Sequence, residues 1–290
     1  MQTEYPQQRS GARIAQVLND ASWTVGESWV VGSATNGRVG AMRVGPVGDR
    51  SLMDGVSDIV AQSLDKVAAL QHCQDIADAE GGWFFIDKAG IATFYDRHRL
   101  LREPFRTPRY DFGDYYADSE WHVGLAYSGI VYSYGGEWVY NEVSVQTLDG
   151  DEQRVVDLDS VGRYFRRTLA ASNLPLASDS EALSRARFLL DRYKAPQVRV
   201  DELSFEGAIP DETLAALLSL DLGDMVRVSH LPPGSGATDT WSQTSIVQGI
   251  EHNIDEKSWS VTLSLAPHHT GEYWQIGIAR VGAADMRPAW

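Results

Sequence analysis

The chain has 290 residues, 43% of them hydrophobic and 22% charged, with a formal net charge of −15. That length and apolar content accommodate about two ordinary domains with buried cores, which excludes a disordered tail. Carboxylates outnumber bases, which argues against a surface that grips nucleic-acid phosphates; the charge suits either plain solubility or a wall past which DNA moves without sticking.

The first segment, MQTEYPQQRSGAR, lacks the basic and then apolar regions of a signal peptide, and synthesis in a cytosol is expected. Ser10 is placed to cap a helix whose Ile14, Val17, Leu18 and Ala21 repeat at i, i+3, i+4, i+7. The Gly-rich stretch 32–48 predicts loops and short strands. A second helix is predicted over 65–79, with Val67, Leu70, Cys73, Ile76 and Ala77 inward and Gly81-Gly82 as its stop. Cys73 is the only cysteine, which rules out an intramolecular disulfide, and its apolar neighbours predict a buried thiol. Trp83-Phe84-Phe85-Ile86 and Ile91-Ala92-Thr93-Phe94-Tyr95 flank Asp87-Lys88-Ala89-Gly90, a hairpin whose Gly supplies the positive φ of a bulged turn. Residues 110–140 are rich in aromatics, with Asp111, Asp114, Asp118 and Glu120 among them, and an irregular, partly exposed segment is expected there.

In the second half Val139, Asn141, Val143, Val145 and Thr147 mark a half-buried strand, Asp149-Gly150 turns the chain, and Arg154-Val155-Val156 returns. Arg163, Arg166 and Arg167 read as one solvated helical face. Ser178 and Glu181 carry a capping-box signature ahead of a helix with Leu183, Ala186, Leu190 and Tyr193 on one side. Pro196 forces an extended exit, followed by strand-like Val198, Val200, Leu203 and Phe205, a short helix over 211–220, and Met225-Val226-Arg227-Val228. Two last strands, 246–254 and 259–265, are joined by Asp255-Glu256-Lys257-Ser258. The pattern predicts an α+β chain with mostly antiparallel β-barrel or sandwich domains and helical insertions.

Motifs that carry chemistry are missing. The glycines of 32–48 contain no phosphate-loop spacing, and Asp111-Phe112-Gly113 lacks the companions of a kinase site. His268-His269 would point to opposite faces of a strand, and one cysteine elsewhere leaves too few ligands for zinc. Carboxylates beside tyrosines at Asp111, Asp114 and Asp118 are what a glycan-binding or glycan-cleaving site presents, yet no spacing fixes the carboxylate separation that cleavage requires. No catalytic residue, metal ligand or cofactor is therefore assigned. No apolar run approaches the roughly 20 residues needed to cross a bilayer.

The order of segments resembles the minor tail proteins of long-tailed, siphovirus-type phages of actinobacteria, related to tail-tip and baseplate hub proteins. The residues behind it are Ser10-Gly11-Ala12-Arg13-Ile14, LQHCQDIADAEGGWFFIDKAGIATFY from Leu70 to Tyr95, and Asn141-Glu142-Val143-Ser144-Val145. The segment 182–193 with Pro196, VQGIEHNI from Val247 to Ile254 running into WSVTLSL from Trp259 to Leu265, and the ending Tyr273-Trp274-Gln275-Ile276-Gly277 and Met286-Arg287-Pro288-Ala289-Trp290 extend it. The resemblance implies a helix and hairpin domain with an aromatic loop region (1–138), a hub-like β-barrel domain (139–268) and a C-terminal extension (269–290). It also implies a homotrimeric ring around the tail channel through which DNA passes without specific binding. The implied partners are distal tail, tape-measure and tip or fibre proteins of the virion, and no catalytic residues come with it. Such proteins begin with a further β-domain of about a hundred residues; here the SGARI helix comes almost first, so a separate polypeptide supplies that barrel or the subunit occupies another place in the tip. Aromatic residues anchor protein interfaces, which makes 110–140, with Trp121 and Trp138, either a contact surface or part of the subunit's own core. A carbohydrate-binding or wall-degrading tail component is the alternative.

Overall fold

The computed structural model describes residues 2–21, 23, 30–31, 42–44, 50–102, 104–114, 124–231, 241–268, 273–274 and 287–288. The fold is α+β, with five α-helices among the described residues and mostly antiparallel pairing. Contacts divide the chain into two compact units: 1–104 with 138–195 and 270–290, and 105–137 with 196–269.

In the first unit, α1 (Ser10–Asp20) packs against α2 (Ala69–Glu80). Ser10 does not cap α1. It is already helical and fully buried, and its Oγ donates to Glu80 Oε2 at 2.9 Å. Its neighbours explain the rest of SGARI. A Cβ on Gly11 would lie 1.8 Å from the carbonyl oxygen of Met53, so only glycine permits this approach. Arg13, fully buried, donates to the carbonyls of Pro6 (2.7 Å) and Val60 (2.9 Å) and lies over the Tyr5 ring. Burial pulls its pKa down to about 10.

The second helix starts later than the periodicity predicts. Gln62–Asp65 is a strand paired with Gln2–Tyr5, and Val67 and Leu70 are exposed. An i, i+3 apolar pair cannot show that a distant strand claims the residues before it. Cys73, Ile76 and Ala77 are buried as expected, and Gly81 ends the helix at φ 77°. Burial pushes the Cys73 thiol up to about 12. The folded chain thus holds this proton more tightly than the unfolded chain does. Stability is full below the ordinary thiol value of 9.0 and falls as pH climbs towards about 12. A thiol reagent at neutral pH should leave Cys73 untouched until denaturant is added; labelling of the native chain at the rate of a free thiol would contradict this burial.

The hairpin forms as read, with Trp83–Ile86 against Ala92–Tyr95 and Gly90 at φ 77°. Asp87 fixes the turn, since its Oδ1 accepts from the backbone N–H groups of Ala89 and Ile91, both at 2.9 Å. These strands join Arg50–Met53, Met42–Val44 and Val30–Val31 in a five-stranded sheet. The stretch 32–48 otherwise lies outside the described residues.

Glu142–Thr147 is the middle strand of a three-stranded sheet, between Gln153–Val156 and Thr168–Leu174. The alternation predicts a half-buried strand, yet Glu142 and Ser144 are buried too, and only Gln146 is exposed. Helix α4 (Asp179–Tyr193) packs on this sheet. Ser178 Oγ accepts from the Glu181 amide, half of the predicted capping box. The Glu181 carboxylate turns instead to the Asp58 amide at 3.5 Å. Ala182, Ala186 and Asp191 are the buried residues of α4, while Leu183, Leu190 and Tyr193 are half-buried. The short helix α3 (Leu158–Tyr164) ends before Arg166 and Arg167, so the three arginines do not share one helical face.

In the second unit a seven-stranded sheet runs in the order Leu125–Ala126, Tyr110–Gly113, Met225–His230, Trp241–Ile254, Trp259–Pro267, Arg199–Phe205, Gly129–Ser133. Its two edge strands are neighbours in sequence. From Ala126 to Gly129 the chain reaches at most about 10 Å, so the sheet curls back on itself in the manner of a barrel. Phe112, Val200, Leu203, Phe205, Val228 and Val261 are core residues inside it, and α5 (Asp211–Ser219) adds Leu217.

Val200 and Leu203 both face this core although three positions apart, which strict alternation forbids. The pairing with Gly129–Ser133 shifts between Val131 and Tyr132, so one extra residue on the 199–205 strand restores the inward side. Tyr110–Gly113, expected to be irregular, is a central strand with parallel neighbours on both sides.

Candidate contact surfaces

The aromatic stretch 110–140 splits between core and surface. Phe112 is fully buried, 5.3 Å from Phe205 in an edge-to-face pair. Val131, Tyr132 and Tyr134 emerge on and after the Gly129–Ser133 strand, Tyr134 being 78% exposed. Trp138, in the first unit, is 46% exposed. Trp121, Asp118 and Glu120 lie outside the described residues, as do His269 and most of 269–290.

Tyr132 belongs to a ring cluster with His230 (5.4 Å) and Trp241 (5.7 Å). His230 Nδ1 lies 2.9 Å from Asp114 Oδ2 and 3.1 Å from Tyr127 Oη. Asp114 Oδ2 also accepts from the Leu231 amide at 2.6 Å. The carboxylate therefore pins the end of the Met225–His230 strand. Asp111 faces Arg227 at 3.6 Å across the parallel pairing. Of the carboxylates that sequence grouped together, Asp111 and Asp114 are thus engaged by different partners. Among the described residues no cluster of His, Cys, Asp or Glu is arranged to hold a metal ion, and no helix is long and apolar enough to cross a membrane.

Sequence reasoning missed a second surface. Glu142, buried in the three-stranded sheet, draws in Arg154 and Arg166, the latter at 3.2 Å. The Arg154 hydrogen bond first, and that of Thr168 after it, hold the Glu142 carboxyl below its usual range. Beside these arginines Leu158 is 75% exposed and Phe165 86% exposed. Phe165 has φ 60° and ψ 166°, backbone angles that side-chain-bearing residues rarely adopt. Nothing in the alternation or charge pattern flags it; the signal is that backbone combined with exposure.

No protein-family model matches the chain, and no curated protein does either. Among solved structures, the chain is similar to a tail protein from Neisseria meningitidis MC58, with TM-score 0.54 and 10% identity over 92% of this chain and 69% of that one. A 43 kDa tail protein of prophage MuSo2 from Shewanella oneidensis aligns at TM-score 0.49 and 12% identity, over 91% of this chain and 65% of that one. At such identity what the chain shares with the Neisseria tail protein is its fold, and that likeness runs through nearly the whole of this α+β chain.

Proposed function

We propose that the chain is a structural component of a bacteriophage tail, a minor tail or hub-like subunit at the tail tip of a long-tailed phage of actinobacteria. It works by contact with other tail proteins and carries out no catalysis. The observation that carries this reading is the fold likeness to a tail protein over 92% of the chain. The net charge of −15 supports a place on the wall of a channel that DNA traverses without sticking. A homotrimeric ring with distal tail, tape-measure and tip or fibre proteins as neighbours completes the proposal.

Antibody against the chain, applied to intact virions in the electron microscope, should decorate the distal end of the tail. Decoration of the capsid, or of nothing, rejects it. Tyr134→Ala should leave the melting midpoint within about 1 °C, because surface substitutions stay within ~0.5 kcal/mol, while the yield of complete tails falls. Normal tail yield would remove Tyr134 from the contact surface.

A further inference from the structure

Helix α3 is turned inside out. Its buried residue is Ser160, whereas Leu158 and Tyr164 are exposed and Phe165 projects just beyond the last turn. A helix that only served its own core would bury the apolar stripe and expose the serine. The strained backbone at Phe165 has a visible cause. Asn141, fully buried, donates through Nδ2 to the Phe165 carbonyl at 2.6 Å and accepts through Oδ1 from the Arg167 amide at 2.9 Å. The clamp grips the backbone on both sides of Phe165 and leaves its ring facing solvent. Arg163 and Arg166 stand either side of Phe165 in sequence, both exposed, and although Arg166 also pairs with Glu142 they make a basic spot on a chain whose net charge is −15.

A feature of the second unit complements this spot in both charge and apolar character. The strands Trp241–Ile254 and Trp259–Pro267 outrun their neighbours: the register with Arg199–Phe205 stops at Val261, and that with Met225–His230 covers Trp241 to Ile246. Beyond those points they form a two-stranded ribbon with residues 251–258 all exposed. The ribbon is hydrogen-bonded to its tip. Trp259 Nε1 donates to His252 Nδ1 at 3.2 Å, and Asp255 accepts from the Lys257 and Ser258 amides, both at 2.7 Å. Its tip presents Ile254, 64% exposed, beside Asp255 and Glu256 of the turn.

We propose that the elbow at Leu158 and Phe165 of one copy docks on the ribbon tip of a second copy. The Phe165 ring and Leu158 cover Ile254, and Arg163 meets Glu256 of the turn. This rests on the reading of the chain as an assembly subunit and names the surfaces that such self-assembly uses. Two acidic copies repel over most of their surface, so the basic, apolar elbow is where a second copy gains by approaching. The backbone at both surfaces is hydrogen-bonded in place before they meet, which lowers the ordering cost of association. The contact pairs unlike patches, so a docked pair keeps one elbow and one tip free for the next copy.

Sedimentation velocity of the full chain over a range of concentrations, at low and high salt, tests this. The wild type should associate more strongly as concentration rises, and less strongly at high salt. Phe165→Gly should weaken association about thirtyfold, the loss expected for a buried aromatic anchor, with an unchanged or higher melting midpoint because glycine accepts this backbone freely. Ile254→Ser should weaken it comparably from the other side. Arg163→Glu should weaken it as well, and mixing that variant with Glu256→Lys should restore part of it. A wild type that stays monomeric at every concentration overturns the proposal, as does association indifferent to Phe165→Gly and Ile254→Ser. Either outcome is separate from where antibody finds the chain in a virion, so the tail reading stands or falls on its own test.

Discussion

Glu80→Ala should lower the stability of the first unit by about 3–5 kcal/mol, the cost of leaving buried charge without its partner. Glu80 is fully buried at the end of α2, and its Oε2 accepts from Ser10 Oγ (2.9 Å), the Ser57 amide (2.7 Å) and the Val56 amide (3.2 Å). Arg97 lies 3.9 Å from Oε1 and donates to Ser57 Oγ at 2.7 Å and Ser184 Oγ at 3.1 Å. Arg185 feels the same carboxylate; burial, then the neighbouring Arg97, pull its pKa down to about 10. One carboxylate thus ties the start of α1, the end of α2, the loop at Val56 and Ser57, and α4. Its removal orphans three donors and leaves two guanidinium groups without a buried counter-charge. Calorimetry should show the midpoint falling by roughly 10 °C, and Glu80→Gln, which keeps the shape and one acceptor, should lose less. A loss under about 1 kcal/mol, the range of an exposed pair, would mean that the cluster is solvated.

The second large effect is expected at Phe112. Its ring is fully buried and packs against Phe205, and its strand is hydrogen-bonded on both sides, so the barrel wall cannot collapse into the space it leaves. Phe112→Ala should cost about 3–5 kcal/mol, and Phe112→Leu much less, because it keeps most of the volume. Urea titration reads this as a lower midpoint with an unchanged slope. Equal losses for both variants would mean that ring geometry, not volume, holds the core.

What sequence made legible was local. The hairpin ending at Tyr95, the pair Glu142–Thr147 and Gln153–Val156, and the final ribbon each declare themselves through alternation and a turn residue within a dozen positions. Pairings across long separations did not. Asp65 reads as the first residue of a helix until Gln2–Tyr5 is beside Gln62–Asp65, and Tyr110–Gly113 reads as an irregular segment until Met225–His230 supplies a neighbour. Ser10 is a good cap by residue type, yet a carboxylate 70 positions away claims its hydroxyl. The candidate surfaces were half legible. Aromatic content pointed to 110–140, where Tyr134 is exposed and Phe112 is not. The elbow at Phe165 stayed hidden, because the segment read as one solvated face of Arg163, Arg166 and Arg167, and only the backbone at Phe165 and the burial of Ser160 show the ring turned outward.

The lone thiol of Cys73, sealed in the core, has a practical consequence. A cysteine introduced at Tyr134 or Ile254 would be the single reactive sulfur on the native chain. Maleimide dyes or gold clusters could then mark one chosen spot per subunit, with no need to mutate the endogenous residue first. Counting and locating those marks in whole particles would turn an inert side chain into a ruler for the assembly.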